Sequence, residues 1–431
     1  MRIAVVAPCP FPALRGSQVL IRQLAEALAE RGHEVHVACY AESNGTPEVP
    51  GVHIHRAGWA LRSFKAWLPW IVWKGLNDVA LAWQLRRLLR QKPPDVIHAH
   101  NYEGPLVAWL AQWRQRTPVI YHAHNVLSDE LPSYARTAWG KGLRGVFGAW
   151  LDRQIPRRAQ LVVALSMAQA AYLRMCGVGE SCLRVCPPPR PRAAIGRGEG
   201  RMGLQHASHW VVGYAGNFDA YQDLAVLAQA IDLLREEGRE PTLLLVTHER
   251  RGKRELPLEM RRLVAAGAAR IVWAAGIAEA MEVMGRAHVL VCPRSSWSGF
   301  PIKLVNYAAL GSPILLSESV ARSIRWPEPA SVFPDRNPVA LAALLRQLER
   351  DPALRRKLRD ASRRFWWSLP DRSQVGEWLE RAMVAVASGE AAPSYTCDEW
   401  QSTAGENSGV DSQQASSYKP PDGSREGDAR A

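Results

Sequence analysis

Short apolar runs alternate along the chain with segments in which apolar residues recur every three or four positions, and the second half repeats this alternation. Uninterrupted apolar runs are typical of strands that are buried on both faces of a parallel sheet, and the intervening periodicity is typical of helices that cover it. The strands predicted in this way are residues 3–7, 35–38, 95–100, 119–125, 161–166, 210–217, 243–246, 271–273 and 314–316. We therefore predict an α/β protein with two doubly wound, Rossmann-like domains that face each other across a cleft.

Changes in composition mark the predicted domain boundaries. Three consecutive prolines at 187–189 make a stiff crossing at the end of a first domain, residues 1–190. A Gly- and Arg-rich linker at 193–206 precedes a second domain, residues 207–370. From residue 389 the chain is rich in Ser, Gly, Gln and acidic residues and has few apolar residues to bury. We predict that the tail over 389–431 is disordered.

A strand, a polar loop and a helix follow one another between residues 289 and 311. Gly311 suits the left-handed position after a helix and is predicted to end it. The residues at the predicted start of this helix are Ser298, Gly299, Phe300 and Pro301. Unpaired backbone N–H groups at such a start, at the carboxyl edge of a parallel sheet, attract an anion, so a phosphate group fits there. A glycine that only makes a tight turn is the alternative for Gly299.

Two of the predicted strands end in histidines. The strand at 95–100 carries His98 and His100, and the strand at 119–125 carries His122 and His124. A strand that ends in histidine places an imidazole at the carboxyl edge of the sheet, where the ligand crevice of such folds lies. Polar strand ends that simply meet water are the alternative interpretation.

These motifs occur in the same order as in the family 4 glycosyltransferases, which the chain resembles over roughly residues 1–388. In that family, a Glu-Gly-Phe-Pro start and a second Glu eight residues further on bracket the motif helix. Here the Gly-Phe-Pro core is intact, while Ser298 and Asn306 stand at the two acidic positions. The resemblance implies the GT-B fold and metal-independent transfer of a sugar, with retention, from a nucleoside diphosphate sugar to an acceptor hydroxyl. It implies no cofactor besides this donor.

The resemblance also implies roles for particular residues and segments. His124 matches a histidine that lies near the donor sugar and the acceptor, which makes it the candidate catalytic residue, with His98, His100 and His122 as competitors. The candidate donor-binding residues are Arg15, Gly16, Asn217, Gln222, Arg294, Ser298, Gly299, Phe300, Pro301, Lys303 and Asn306. The first domain becomes the acceptor side, the second binds the nucleotide sugar, and a helix at 372–388 packs back onto the first.

Several of these donor-contact positions have lost the charge that the family carries there. Asn217 and Gln222 replace an Arg and a Lys that grip the diphosphate in the family. Missing cations remove charge-assisted hydrogen bonds worth about 1.5–3 kcal/mol each. We therefore expect Arg15, Arg294 and above all Lys303 to supply positive charge instead.

Charge and tryptophan placement indicate a membrane surface as a partner. The net charge is +13, the tail from Ser388 carries −5, and the remainder therefore carries +18. Trp67, Trp70 and Trp73 are spaced to line one side of a helix among Lys and Arg residues, and residues 139–150 repeat this mixture. Trp and basic residues both favour the surface of an anionic membrane. Core packing of these tryptophans is the alternative, and a nucleic-acid partner is not expected because no RNA-binding motif accompanies them.

Other features narrow the function and the location. The sequence has no apolar run of about 18 residues, so we expect no spanning helix and a cytoplasmic protein at the inner face of the cell membrane. The seven cysteines form no CxxC pair and have no histidine at metal-ligand spacing, so we expect reduced thiols and no metal. The expected acceptor is a lipid-linked or cell-envelope glycan. The rival hypothesis is a degenerate relative that binds nucleotide, lipid or a partner without turnover; a nucleotide-sugar epimerase lacks any supporting motif.

Overall fold

The structure is a computed structural model that describes residues 1–12, 16–41, 48–57, 70–112, 116–135, 137–191, 210–248 and 256–395, with the backbone alone for residues 70 and 71. Both sheets described below belong to one compact unit, Met1–Tyr395. Among these residues, no helix is long and apolar enough to cross a membrane.

The described strands form two wholly parallel sheets. The first contains β1 (Arg2–Pro10), β2 (Glu34–Tyr40), β3 (Val52–Ala57), β4 (Val96–His100), β5 (Val119–Ala123), β6 (Leu161–Ala164) and β7 (Leu183–Val185), in the spatial order β3-β2-β1-β4-β5-β6-β7. The second contains β8 (Val211–Ala215), β9 (Thr242–Thr247), β10 (Ala269–Trp273), β11 (Val289–Cys292), β12 (Ile314–Ser317) and β13 (Val332–Phe333), in the order β10-β9-β8-β11-β12-β13. The strand order reverses beside β1 and beside β8, which opens a crevice at the carboxyl ends of both sheets. The predicted pair of doubly wound domains is confirmed.

Helices connect successive strands, and several begin where the sequence places a capping residue. The helices are α1 (Gly16–Glu30), α2 (Trp70–Gln91), α3 (Glu103–Gln112), α4 (Leu127–Glu130), α5 (Ala138–Gln154), α6 (Met167–Met175), α7 (Leu224–Glu236), α8 (Leu258–Ala265), α9 (Ile277–Met284), α10 (Ile302–Ala309), α11 (Glu318–Ile324), α12 (Pro338–Arg350), α13 (Pro352–Ser368) and α14 (Arg372–Ala387). α12 begins at Pro338 and α13 at Pro352, and the side chains of Asn337 and Asp351 cap them. Pro301 is the residue before α10, and Gly311 has the predicted left-handed conformation after it.

The last helix, α14, lies against α1 of the first sheet's domain. Arg372 of α14 bonds Glu26 of α1 at 2.7 Å and also contacts Glu30. A Cβ placed on Gly376 would lie 3.2 Å from the Cβ of Ala27, so the two helix backbones approach closely. Trp378 is fully buried in the same interface. The first domain is therefore built from both ends of the described chain.

The ordered chain continues past the predicted start of the tail. Residues 390–395 fold back along the first domain, where Ala392 is buried and its carbonyl accepts a 2.9 Å hydrogen bond from Nε of Arg184. The indole of Trp378 donates to the carbonyl of Pro393 at 3.1 Å and meets the ring of Tyr395 edge-on. The boundary predicted at residue 389 is therefore too early, because composition alone does not show these backbone carbonyl acceptors. Residues 396–431 of the predicted tail lie outside the described residues.

Of the three tryptophans predicted to face a membrane, the structure describes the side chain of Trp73. Trp73 is partly buried with its ring edge-on to Tyr40, and the neighbouring Lys74 forms an ion pair with Glu103 of α3, so this side of α2 faces the protein. Trp67 and the side chain of Trp70 lie outside the described part of the chain. The exposed face of α2 instead carries Val72, Leu76, Val79 and Trp83.

A second exposed apolar stripe runs along α5. Its residues are Trp139, Leu143, Val146, Phe147 and Trp150, of which Trp139 is 79% and Val146 72% exposed. Lys141 and Arg144 belong to the same helix. The predicted mixture of aromatic and basic residues over 139–150 therefore stands on the surface.

Candidate active site

A cleft of about 350 Å³ lies where the carboxyl ends of the two sheets meet. His124 follows β5 on one side, and Asn217 and Arg294 follow β8 and β11 on the other. A Cβ placed on Gly16 would lie 3.5 Å from Cγ1 of Ile302, so the starts of α1 and α10 meet at this cleft. Two helix N-termini and the carboxyl edges of two parallel sheets at one cavity favour an anionic ligand.

Lys303 projects from the first turn of α10 into the cleft wall. Its Nζ donates to the hydroxyl of Tyr214 at 2.8 Å and to Oε1 of Gln222 at 2.7 Å, and it lies 4.1 Å from the centre of the Tyr214 ring. Burial lowers the pKa of Lys303 to about 8, and the nearby charge of Arg294 lowers it as well. Its hydrogen-bond partners are thus neutral, while of the charged neighbours Arg294 repels the ammonium and Asp219 attracts it.

Arg294 is a second, almost fully buried cation on the cleft wall. Its Nη2 donates to Oγ of Ser296 at 3.0 Å and to the carbonyl of Ser298, and its guanidinium lies 5.2 Å from the centre of the Tyr221 ring. Its Nε is buried without a hydrogen-bond partner. Within the described chain, neither Arg294 nor Lys303 forms an ion pair with a carboxylate. Two buried cations without an ion-pair partner favour an anionic ligand beside them.

The uncharged positions in this wall form a hydrogen-bonded support for Lys303. Nε2 of Gln222 donates to Oδ1 of Asn217 at 2.8 Å, and Oε1 of Gln222 accepts the hydrogen bond from the Lys303 ammonium. Asn217 in turn donates to the hydroxyl of Tyr221 at 3.2 Å. Asn306 lies one turn further along α10 on the same wall. The structure therefore brings together Gly16, His124, Asn217, Gln222, Arg294, Phe300, Pro301, Lys303 and Asn306 of the predicted residues. Arg15 lies outside the described residues.

Ser298 and Gly299 are placed differently from the expectation. Ser298 is fully buried away from the cleft lining, and its backbone N–H donates to Oδ2 of Asp129 at 3.2 Å. The same carboxylate accepts from Oγ of Ser296 at 2.5 Å. Gly299 has φ +71°, and a Cβ there would lie 2.2 Å from Oδ1 of Asn125. The N–H at Ser298 that was expected to meet a phosphate therefore meets a carboxylate of the protein's own first domain.

Of the four predicted histidines, His124 lines the cleft and the others lie behind it. Nε2 of His124 is 3.0 Å from Nδ1 of His100, and Nε2 of His98 is 3.1 Å from Nδ1 of His122. All four are buried. Burial lowers the pKa of His124 to about 3, so its imidazole is neutral at physiological pH. A neutral imidazole at this position can accept a hydrogen bond from a hydroxyl or donate one to it.

Other cleft residues were missed by the sequence analysis. Glu130 and Tyr134 follow β5, and the tyrosine hydroxyl donates to Oε1 of Glu130 at 2.9 Å. Asp219 and Tyr221 come from the loop after β8. The sequence feature that could have indicated Glu130 is the acidic pair at 129–130, which lies a few residues after His124.

Two family models match the chain by sequence. The "Glycosyl transferase 4-like domain" matches residues 15–189, and "Glycosyl transferases group 1" matches residues 209–351. The two matches together span both sheets. No curated protein matches the chain at a significant level.

Solved structures share the fold at low sequence identity. Sucrose-phosphate synthase from Thermosynechococcus elongatus superposes with a TM-score of 0.75 at 18% identity, covering 90% of this chain and 100% of that one. Anabaena HepE in complex with UDP-glucose gives 0.65 at 15% identity, covering 89% and 99%. WaaG, a glycosyltransferase involved in lipopolysaccharide biosynthesis, gives 0.63 at 15% identity, covering 87% and 97%.

Proposed function

Since the chain belongs to the glycosyltransferases of the GT-B fold, we propose that it transfers a sugar from a nucleoside diphosphate sugar to an acceptor hydroxyl with retention. The observation that carries this proposal is the pair of buried cations, Arg294 and Lys303, on one cleft wall, neither of which forms an ion pair with a carboxylate among the described residues. A diphosphate would bring two negative charges next to them. The two domains correspond to an acceptor side and a nucleotide-sugar side.

The cations act on the charge that develops on the departing diphosphate. As the bond between the anomeric carbon and the phosphate oxygen breaks, negative charge grows on that oxygen, and fixed cations in a partly dry cleft stabilise it. Retention places the attacking hydroxyl on the same face as the leaving group, so the departing phosphate oxygen is within reach of the hydroxyl proton. This arrangement needs no metal ion to carry the diphosphate charge.

His124 and Asn306 are proposed to orient the donor. His124 is neutral and lies at the carboxyl end of β5, where its ring can bond a sugar hydroxyl. Asn306 has an amide that can bond ribose hydroxyls from the same wall as Lys303. The HepE structure holds UDP-glucose, so UDP-sugars are the first donors to test.

We propose a lipid-linked or cell-envelope glycan as the acceptor and an anionic membrane as the working surface. The exposed apolar stripes of α2 and α5, Lys141 and Arg144, and the +18 charge of the chain before its acidic tail support this location. The fold is also shared with WaaG, a glycosyltransferase involved in lipopolysaccharide biosynthesis. The protein would then bind the inner face of the cell membrane peripherally and take its acceptor there.

Binding and turnover are tested with a panel of UDP-, GDP- and ADP-sugars. Thermal shift identifies the donor that binds, and release of nucleoside diphosphate in the presence of glycolipid acceptors measures turnover. Binding without release under every acceptor would favour the degenerate relative that binds without turnover. No binding of any nucleotide sugar would contradict the proposal.

The contribution of the cations is measured by calorimetry with the nucleoside diphosphate. Lys303→Ala is expected to weaken binding by about 1.5–3 kcal/mol, roughly ten- to a hundredfold, because charge-assisted bonds are lost. Lys303→Arg is expected to recover only part, since the guanidinium differs in shape from the ammonium. Arg322→Ala, an exposed arginine of the same domain, serves as the control. Equal dissociation constants for wild type and Lys303→Ala would move the role to Arg15 or Arg294.

A further inference from the structure

Four histidines form a buried layer behind the cleft, at the ends of β4 and β5. His98 and His100 alternate along β4, His122 lies on β5 with His124 directly after its end, and His100 is directly opposite His122 in the strand register. Neighbouring rings have centroids 4.2–5.4 Å apart. The proposed sugar transfer uses His124 and leaves the other three without a role.

Hydrogen bonding within this layer leaves ring nitrogens unsatisfied. The unpartnered, fully buried atoms are Nδ1 of His98, Nε2 of His100 and Nε2 of His122. Burial lowers the pKa of all three residues, so each ring is neutral and carries one N–H and one lone pair. Buried polar atoms without partners are rare in folded proteins and require an explanation.

We propose that His98, His100 and His122 bind one divalent transition-metal ion of the class that prefers imidazole, such as zinc. One ring nitrogen from each of the three residues lies within 4.8 Å of the others, and among the described residues this is the group of potential ligands that meets this spacing. Zinc, copper and nickel favour imidazole nitrogen, and three histidines with one open position form a known zinc ligand set.

The spacing of the three rings limits how far they must move to bind one ion. One nitrogen from each ring lies within 4.8 Å of the others. Two nitrogens that bind one tetrahedral zinc with bonds of about 2.0–2.1 Å are about 3.4 Å apart, so the ligand nitrogens would have to approach one another by at most about 1.4 Å. On His100 the ligand is the unpartnered Nε2, because its Nδ1 lies 3.0 Å from Nε2 of His124.

The ion would also position the cleft residue His124. A histidine that binds a metal through one nitrogen usually donates a hydrogen bond from the other, which fixes its orientation. Here Nδ1 of His100 is 3.0 Å from Nε2 of His124. The ion would fix the orientation of the His100 ring, and the hydrogen bond between His100 and His124 would then fix the orientation of the His124 ring.

The test uses the full chain without an affinity tag, purified and then incubated with zinc or cobalt chloride before the excess is removed. Elemental analysis is expected to give about one metal ion per chain, and the cobalt form is expected to show the visible absorption of a four-coordinate site. His98→Gln and His122→Gln are expected to lose the ion and the absorption. His55→Gln is the matched control, because His55 lies on β3 of the same sheet and bonds another histidine at 3.0 Å.

Folded wild type that retains no zinc and shows no cobalt absorption would overturn the proposal and leave buried water as the occupant. Equal retention by His98→Gln and His55→Gln would also overturn it. If the two glutamine variants fail to fold, X-ray absorption spectroscopy of the zinc-loaded wild type identifies the ligands of the ion instead. Three imidazole nitrogens at about 2.0–2.1 Å are expected, and a shell of oxygen or sulfur ligands would place the ion elsewhere.

Discussion

The carboxylate of Asp129 accepts a hydrogen bond from the backbone N–H of Ser298 at 3.2 Å. Asp129 belongs to α4, directly after the strand that ends at the cleft, and Ser298 belongs to the loop that leads into α10. An anion of the first domain therefore occupies the position at the loop N–H that the sequence indicates for a phosphate. The contact joins the two domains beside the cleft.

Asp129→Ala is expected to release the loop. The substitution removes a carboxylate that also accepts from Ser296, so we expect a loss of about 1–2 kcal/mol in the free energy of unfolding. Hydrogen exchange of the backbone over residues 295–300 is expected to become faster. Asp360→Ala is the control, because Asp360 is an exposed aspartate of α13. Unchanged exchange over this loop would show that the contact does not hold it.

Gly299 is expected to be intolerant of a side chain for two separate reasons. Its φ of +71° disfavours an L-residue, and a Cβ there would lie 2.5 Å from the carbonyl oxygen of His124. Gly267→Ala is a matched control, because Gly267 has φ +72° and open space around its Cβ position. Both alanine variants are expected to lose about 1–2 kcal/mol from backbone strain, and Gly299→Ala more. Equal losses in chemical denaturation would show that the loop moves away without penalty.

Nucleoside diphosphate binding is expected to weaken as the pH rises from 7 to 9. The pKa of Lys303 is about 8 in the free protein, so its ammonium loses its charge in this range. Binding that requires the charged form weakens by at most about tenfold per pH unit above that pKa. The groups that face Lys303 are Tyr214 and Cys292, whose pKa values burial raises, together with Asp219 and Arg294.

Calorimetry at both pH values checks this dependence, with Lys303→Arg as the control that stays charged. Binding that does not change with pH in the wild type would contradict a lysine ligand.

The free energy of unfolding depends on the same lowered pKa of Lys303, but it changes in the opposite direction with pH. The pKa of Lys303 in the folded protein lies below the ordinary lysine value of 10.5, so the unfolded chain binds more protons between about pH 8 and 10.5. The Lys303 contribution to the free energy of unfolding therefore increases as the pH rises through that window.

Membrane association is expected to depend on the α5 stripe. Vesicles that contain anionic phosphatidylglycerol are expected to float the wild type, and the triple variant Trp139→Ser, Val146→Ser, Trp150→Ser is expected to float severalfold less. High salt is expected to weaken flotation of the wild type, because basic side chains contribute to the attraction. Leu258→Ser with Val339→Ser removes exposed apolar residues from the second domain and serves as the control. Equal flotation of both variants would exclude α5 as the docking surface.

Truncation is expected to distinguish residues 390–395 from the chain beyond them. A chain that ends at Gly389 loses the partners of Arg184 and Trp378, so its Tm is expected to fall by several degrees. A chain that ends at Tyr395 is expected to keep its Tm, because residues 396–431 have few apolar side chains to bury. Scanning calorimetry of the two truncations measures the difference. Equal Tm values would show that the contacts of residues 390–395 contribute nothing.

The sequence predicts the interior of this fold better than its edges. Apolar runs locate the central strands because those strands are buried on both faces. β3, an edge strand with alternating histidines and partly exposed positions, carries no such run and was not predicted. The α2 face was misassigned for a related reason. The spacing of Trp67, Trp70 and Trp73 predicted an outward side that includes Trp73, whereas the exposed residues of α2 are Val72, Leu76, Val79 and Trp83.

Within the site, the sequence locates residues that a strand end or a helix start places in the cleft. His124, Arg294 and Lys303 are of this kind. The partner of the Ser298 backbone N–H is Asp129, which is 169 positions away in the chain. No local pattern carries that contact, because it arises only when the two domains meet. The same holds for the unsatisfied nitrogens of the histidine layer, which become visible only once β4 and β5 are paired.

The packing of α14 on α1 sets an order for folding during synthesis. The second sheet, from β8 to β13, is contiguous in sequence and is complete before residue 372 is made. The outer layer of the first domain, by contrast, includes α14 and residues 390–395. While the chain emerges from the ribosome, the apolar face of α1 stays uncovered by α14 until about residue 390 has been translated. The domain whose strands are made first is thus the one that is finished last.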